Sequence, residues 1–328
     1  MGTTIEKIDN RKVAVIGCGF VGSTCAFDLM QSRLFSEMVL IDVDHQRAEG
    51  EALDISHGIP YYSPMDIYAG SYEDVSDAAI AIITAGANQK PGETRLDLVQ
   101  KNVAIFKSII PSLMASGFNG IMIIVANPVD ILTQVALTLS GLPRERVMGS
   151  GTVLDSARLK YELSHKLDID SRHVHARIIG EHGDSELAVW SLANVSGIPI
   201  DDFFRLRGFT DPVSERKKIE ENVRNSAYEI IQKKRATYFG IAPSVRRICE
   251  SIVRDEKAIL PVSNHLENIY GIDKVVLSMP AIIGAKGVEF AIPLKLDSDE
   301  TVHLQKSART LNETLEQVDL SLDQDDAE

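Results

Sequence analysis

Residues 178–186 read IIGEHGDSE, and residues 151–160 read GTVLDSARLK. Together they hold the side-chain types that move protons and bind anions. His182 follows an apolar, strand-like run and stands between Glu181 and Gly183, at a strand end of the kind that carries functional loops. Imidazole is the side chain whose charge changes nearest neutral pH. Asp155 and Arg158 are three apart, so on a helix they share a face. A carboxylate beside an imidazole orients it and raises its pKa, and a guanidinium offers a planar fork to a carboxylate. The ordinary alternatives are a structural histidine and an i,i+3 surface ion pair. A third stretch, TAGANQKPGETRLDL at 84–98, places Gln89, Lys90, Glu93 and Arg95 in a loop after the apolar run 78–83. A polar connection of that length is more often a lid or a binding loop than filler.

These residues need a scaffold, and the apolar pattern predicts one. Residues 12–16 (KVAVI), 38–43 (MVLIDV), 79–84 and 121–126 (IMIIVA) read as buried strands, with helical spacing at 21–30, 48–56 and 96–115. Continuous apolar strands alternating with helices predict a parallel sheet covered on both faces. GCGFVG, carrying Gly17, Gly19 and Gly22, directly follows the first strand and opens a helix. Its glycines permit a tight turn and close backbone approach to a pyrophosphate, and the helix N-terminus offers amides to the phosphates. Asp42 ends the second strand, 20 residues beyond Gly22. A carboxylate there accepts ribose hydroxyls and repels a 2′-phosphate, so the expected cofactor is NAD rather than NADP. Cys18 within the motif reads as a small filler.

After residue 148 the character changes. A helix is expected at 154–167 and a strand at 174–179. A long charged amphipathic segment at 213–254 should be kinked or broken at Pro243. Strands follow at 258–262, 275–281 and 287–292, then a helix at 300–318 and an acidic tail. The expected fold class is α/β: a doubly wound parallel sheet (Rossmann) over 1–148, with a second α+β domain over 149–328. No repeat or Gly/Ser linker separates the halves, which should pack tightly.

The chain of 328 residues, 44% hydrophobic and 25% charged, has the composition of a globular protein of about two domains. Its net charge of −13 argues against nucleic acid or an anionic membrane as partner. It does not argue against a small anionic ligand held by local arginines. Cys18, Cys25 and Cys249 are three in number, without C-x-x-C spacing, which speaks against a disulfide framework or zinc ribbon and for a reducing, cytoplasmic location. The longest apolar runs are too short to span a bilayer. The N-terminus has no apolar signal core, and Glu6 stands where a myristoylation site wants Ser or Thr.

GCGFVGS, LIDVD, ITAGANQKPGETRLDL, VANPVD, GSGTVLDSAR, IIGEHGDSE and ATYFGIA occur in order across nearly the whole chain. In this the chain resembles the bacterial L-lactate dehydrogenases within the lactate/malate dehydrogenase family. The resemblance implies a Rossmann domain followed by a substrate domain, usually in a homotetramer. It implies that His182 exchanges the proton and Asp155 partners it. Arg158 would grip the substrate carboxylate. Arg95 would close over the substrate and polarise its carbonyl, and Gln89 would select the side chain. Asn127 would lie near substrate and nicotinamide ribose, and Thr237 would line the pocket, with Ile241 beside the nicotinamide. Val21, Asp42, Arg47, Tyr72, Gly86, Ala87, Val125 and Ser150 match cofactor contacts. The loop at 84–98 becomes a lid hinged at Gly86 and Gly92, whose closure excludes water and strengthens each electrostatic interaction.

Hydride would then pass between NADH and the keto carbon of pyruvate to give lactate. Gln89 is neutral, whereas a malate enzyme needs a cation there for the second carboxylate, so oxaloacetate should be a poor substrate. Lys90, one residue on, points elsewhere on an extended loop. A branched 2-hydroxy acid such as 2-hydroxyisocaproate is the other alternative, although Thr237 favours a small pocket. Some bacterial members respond to fructose 1,6-bisphosphate; the matching positions are Lys160, where an arginine is usual, and His175. Lys binds phosphate as a point charge without the bidentate fork. His173 and His175 alternate and are expected to face the same way, but no third ligand suggests a metal. Arg235 and Pro243 depart from the family pattern near the pocket wall. An NAD-binding redox sensor, the alternative outside enzymes, would be expected to have lost one of His182, Asp155, Arg95 or Arg158.

Overall fold

The β-branched run KVAVI forms β1 (Lys12–Ile16), buried along its whole length. The glycine motif turns the chain into α1 (Phe20–Gln31). There follow β2 (Glu37–Ile41), α2 (His45–Ser56), β3 (Asp66–Ala69), β4 (Ile80–Ile83), α3 (Arg95–Ala115), β5 (Ile121–Ile124), α4 (Val129–Ser140) and β6 (Val147–Gly149). The computed structural model describes residues 11–87 and 94–319, without the side chain of Arg95. The loop residues Gln89, Lys90, Gly92 and Glu93, and the Arg95 side chain, lie outside the described residues.

Strands β3-β2-β1-β4-β5-β6 run side by side and parallel. This is the order of a doubly wound nucleotide-binding sheet, whose direction of growth reverses between β1 and β4. Both faces are covered, so β4 and β5 are apolar throughout and β1 is apolar after Lys12, rather than alternating.

The second half begins with α5 (Val153–Leu167), then the two-residue strands β7 (Val174–His175), β8 (Ile178–Ile179), β9 (Leu187–Ala188), β10 (Asn194–Val195) and β11 (Ile198–Pro199). Next come α6 (Ile200–Leu206), α7 (Pro212–Lys234), α8 (Ile241–Val253), β12 (Ala258–Leu266), β13 (Val275–Gly284), β14 (Gly287–Ala291) and α9 (Ser298–Leu315). Strand β12 pairs antiparallel with β6 at Ser263 and Gly149. The sheet therefore continues without a gap from β3 to β14.

Three expectations are corrected. Residues 174–179 are not one strand: β7 pairs with β10 and β8 with β9, in different sheets. His173 closes a short 3-10 turn before β7, so it does not share a strand face with His175. Pro243 breaks nothing. The helical segment ends at Arg235, whose φ of +71° caps α7 and whose N–H bonds the Ile231 carbonyl at 2.7 Å. Pro243 is the third residue of α8, where its missing N–H would have lacked a helical partner anyway.

One glycine must be a glycine for packing reasons. A Cβ on Gly22 would sit 1.8 Å from the Gly17 carbonyl oxygen and 2.7 Å from Thr84 Oγ1. Gly22→Ala therefore forces α1 off the β1 turn. It should cost about 1–3 kcal/mol, read as a lower thermal midpoint together with weaker NADH binding by fluorescence titration. A variant as stable and as tight as the parent would show that the contact yields freely.

Candidate active site

The carboxyl ends of β1 and β4 flank the point where the sheet order reverses, the usual ligand crevice of such sheets, with those of β2, β5 and β6 along the same edge. Gly17 turns there at φ +101°, with its N–H on the Ile41 carbonyl at 2.7 Å and its own carbonyl accepting Thr84 Oγ1 at 2.6 Å. The loop is thereby tied to the neighbouring strands. Gly19 caps α1 without any side-chain hydrogen bond, and a Cβ on it would meet nothing within 4 Å. Amides and open space at a helix N-terminus fit a diphosphate. The Asp42 carboxylate accepts the Cys18 N–H at 2.6 Å and the Asp44 N–H at 3.0 Å. Two of its four lone-pair sites remain for ribose hydroxyls. Asp44 caps α2 through the Arg47 N–H, which places Arg47 near this rim.

The other cofactor candidates surround the same crevice. Val21 and Ile241 pack on one apolar cluster, bringing α1 and the start of α8 together. Val125 and Ser150 are buried behind β5 and β6, with the Ser150 N–H on the Ile124 carbonyl at 2.8 Å. Tyr72 is half-buried against the core on the α3 side. Gly86 passes close to Ala126. Ala87 is held by Asn102, a fully buried residue whose Oδ1 accepts the Ala87 N–H at 2.7 Å. Its Nδ2 donates to the Asn127 carbonyl at 2.7 Å. Asn102 thus locks the roots of the loops after β4 and β5, which the sequence did not suggest.

Asp155 and Arg158 lie on the first turns of α5, and His182 follows β8. The fold brings the three together. Asp155 Oδ2 is 2.6 Å from His182 Nδ1, and Asp155 Oδ1 accepts Arg158 Nη1 at 2.8 Å. With Nδ1 engaged, Nε2 is the nitrogen left for a substrate oxygen. The His182 side chain keeps 25% of its exposure while that of Asp155 keeps 3%. Burial alone would raise the Asp155 carboxyl, but His182 and Arg158 outweigh it and hold it below the usual carboxylate range. Burial would likewise lower the His182 imidazolium, yet Asp155, with help from Asp130, lifts it to about 9. The site therefore keeps a protonated imidazole at neutral pH.

Asp130, the last residue of VANPVD, is a second anchor absent from the sequence reading. It accepts the His182 backbone N–H at 2.7 Å and the Ser263 hydroxyl at 2.6 Å. It joins α4, β12 and the histidine loop, buried at 2% exposure. A cavity of about 410 Å³ opens beside His182, lined by Asp155, Arg158 and Asn127 on one side and by Arg224, Tyr228 and Ile231 of α7 on the other. Thr237 does not line it. It sits half-buried in the connection between α7 and α8. Arg95 starts α3, capped by a reciprocal Thr94–Asp97 pair.

Lys160 is half-buried on α5, where burial and the nearby Arg177 lower its pKa. His175 is exposed on β7. Among the described residues no cluster of three metal-ligating side chains occurs, and no helix is long and apolar enough to cross a membrane.

Comparison with known proteins agrees with this geometry. Residues 11–149 match the lactate/malate dehydrogenase NAD-binding domain, and residues 152–320 match the α/β C-terminal domain of the same family. The L-lactate dehydrogenase of Acetivibrio thermocellus is 50% identical over 310 residues, covering 94% of this chain and 98% of the relative. That of Thermoanaerobacterium saccharolyticum is 52% identical over 309 residues, covering 94% and 99%. Among solved structures, the ligand-bound minor L-lactate dehydrogenase of Enterococcus mundtii superposes with a TM-score of 0.92 at 42% identity, over 95% of this chain and 99% of that one. The chain belongs to the lactate/malate dehydrogenase family.

Proposed function

We propose that this chain is an L-lactate dehydrogenase, reversibly reducing pyruvate to (S)-lactate with NADH. The observation that carries the reading is the Arg158–Asp155–His182 chain of contacts opening onto one cavity. NADH supplies the hydride when bound. Gly17, Gly19 and Gly22 give its diphosphate room against α1, and Asp42 takes the ribose. Val21, Arg47, Tyr72, Gly86, Ala87, Val125, Ser150 and Ile241 complete the cofactor crevice. Arg158 binds the substrate carboxylate through its free guanidinium edge. His182 Nε2 donates a proton to the developing alkoxide in reduction and removes it in oxidation. Asp155 keeps that imidazole charged and oriented, and Asn127 orients the carbonyl. Arg95, at the start of α3, stabilises the oxyanion on closure of the 84–98 loop. Gln89 selects the methyl group, and Thr237, the sequence candidate for the pocket wall, stands in the connection between α7 and α8.

The same reading divides the chain into an NAD-binding domain over 1–148 and a substrate domain over 149–328. It makes the enzyme a cytoplasmic homotetramer. Lys160 and His175 form an effector site for fructose 1,6-bisphosphate, one cation weaker in fork geometry than an arginine site. The apolar side chains that α7 adds to the cavity beside Arg224 and Tyr228, namely Val223, Ala227 and Ile231, favour a second reading in which branched 2-oxo acids also turn over. NADH oxidation is the test, with pyruvate, oxaloacetate or 2-oxoisocaproate, each with and without the bisphosphate. Preference for pyruvate is expected. Preference for oxaloacetate would assign the second carboxylate to Lys90 or Arg224, and preference for the branched acid would favour the α7 reading. NADH binding with no turnover would leave the redox sensor.

A further inference from the structure

Between His182 and β9 stands Glu186, which the mechanism above does not use. Its side chain lines the catalytic cavity together with Asp155, Arg158, His182 and Arg224. It also borders a smaller cleft beneath, formed by Leu159, Ile178, Glu220 and Arg224. Among the described residues no hydrogen bond or ion pair engages its carboxyl, although two arginines stand in the same wall. Charged groups face it from every side: Asp155 and Arg158 on α5, His182 and Asp184 on its own loop, and Glu220 and Arg224 on α7. Arg158 is otherwise committed to Asp155 by one nitrogen only. A partly buried carboxyl placed here either keeps a proton and stays silent, or loses it and becomes a second anion in a pocket built to receive one.

We propose that Glu186 is a positioning residue that controls substrate affinity by competing, when ionised, with the substrate carboxylate for Arg158 and Arg224. This rests on the proposed reaction on 2-oxo and 2-hydroxy acid anions. Burial, and then the negative charge of Asp155, push the Glu186 carboxyl up to about 8, against the pull of His182, Arg224 and Arg158. At neutral pH the group is therefore neutral, and both guanidinium groups are open to the incoming anion. Above the midpoint it is an anion, drawing the arginines toward itself and repelling the substrate.

The (S)-lactate direction separates this from the histidine. Loss of the His182 proton favours lactate oxidation, which needs a neutral imidazole as base, whereas ionisation of Glu186 weakens lactate binding. The two effects have opposite signs. The experiment measures KM for (S)-lactate at saturating NAD+, at pH 7 and pH 9, for wild type, Glu186→Gln and Glu186→Asp. With a midpoint near 8, only about a tenth of the wild-type molecules keep the proton at pH 9. The ratio of KM at pH 9 to KM at pH 7 should then be about tenfold larger in wild type than in Glu186→Gln. Glu186→Asp, which keeps a titrating group, should give a ratio above that of the Gln variant. Equal ratios in wild type and Glu186→Gln, even with kcat lowered evenly at both pH values, would overturn the inference and leave the proposed reaction standing. Absence of lactate turnover in wild type at both pH values would overturn the reaction and this inference with it.

Discussion

Replacing His182 by glutamine should lower kcat for pyruvate reduction by roughly two to four orders of magnitude, the usual worth of a positioned general acid. Glutamine keeps a hydrogen-bonding side chain toward Asp155 but carries no proton that it can give up. Substrate binding at Arg158 and cofactor binding at the glycine loop lie outside the change, so NADH affinity by fluorescence should stay within a few-fold. The wild-type pH profile is the companion measurement. Because the folded pKa of His182 is raised to about 9, the donor is charged below that value and is lost as pH rises through it. Pyruvate reduction should therefore fall on the alkaline side, while lactate oxidation, which starts from the neutral imidazole, gains. Asp155 is the cause, since burial alone would push the histidine the other way. Retention of kcat within tenfold in the glutamine variant, with the alkaline fall intact, would remove His182 from the proton path.

How this site could be read from the sequence depends on how local each relation is. The glycine turn, the strand before it and Asp42 after the next strand belong to one βαβ unit, and period and spacing expose such a unit directly. Asp155 and Arg158 share a helix turn, so their pairing was legible too. Their meeting with His182, 27 residues away, was legible only through resemblance. Asp130 was not, although it closes the VANPVD motif. It reaches the His182 amide across 52 residues and Ser263 across 133, and no periodicity encodes such a contact. Asn102 hid in the same way, as one polar residue on the buried face of an amphipathic helix. Glu186, on the loop before β9, and Arg224, on α7, are distant in sequence and meet only in the cavity wall. The segments where local pattern and structure part have the opposite origin. Residues 174–179 alternate as a single strand would, but Arg177 marks the point where the chain changes partner. Pro243 signals a helix break only if a helix precedes it. Here the break was already made at Arg235, and the proline begins the next helix.

Arg158 is the residue where a small change should reveal the largest share of substrate affinity. One guanidinium nitrogen is spent on Asp155 at 2.8 Å, and in the proposed reaction the opposite edge is the fork for the substrate carboxylate. A paired, charge-assisted contact of this kind is worth roughly 1.5–3 kcal/mol per hydrogen bond. Arg158→Lys keeps the charge but loses the fork, and a loss of one such bond should raise KM for pyruvate by roughly 10- to 150-fold. Arg158→Gln removes the charge as well. With both bonds and the charge gone, the rise should reach roughly 10²- to 10⁴-fold. The two variants also differ in a second respect. Arg158 is one of the groups that hold Asp155 ionised, and Asp155 in turn holds the proton on His182. At neutral and alkaline pH Asp155 stays ionised in either variant, but Arg158→Gln removes a positive charge beside the Asp155–His182 pair. His182 should then hold its proton more tightly and the alkaline fall in pyruvate reduction should move to higher pH, whereas the Lys variant should stay closer to the parent profile. Steady-state KM and kcat across pH 6 to 10 would measure both. A Lys variant with parental KM would mean that the carboxylate is held elsewhere, with Arg224, the other guanidinium in the cavity wall, as the first residue to test.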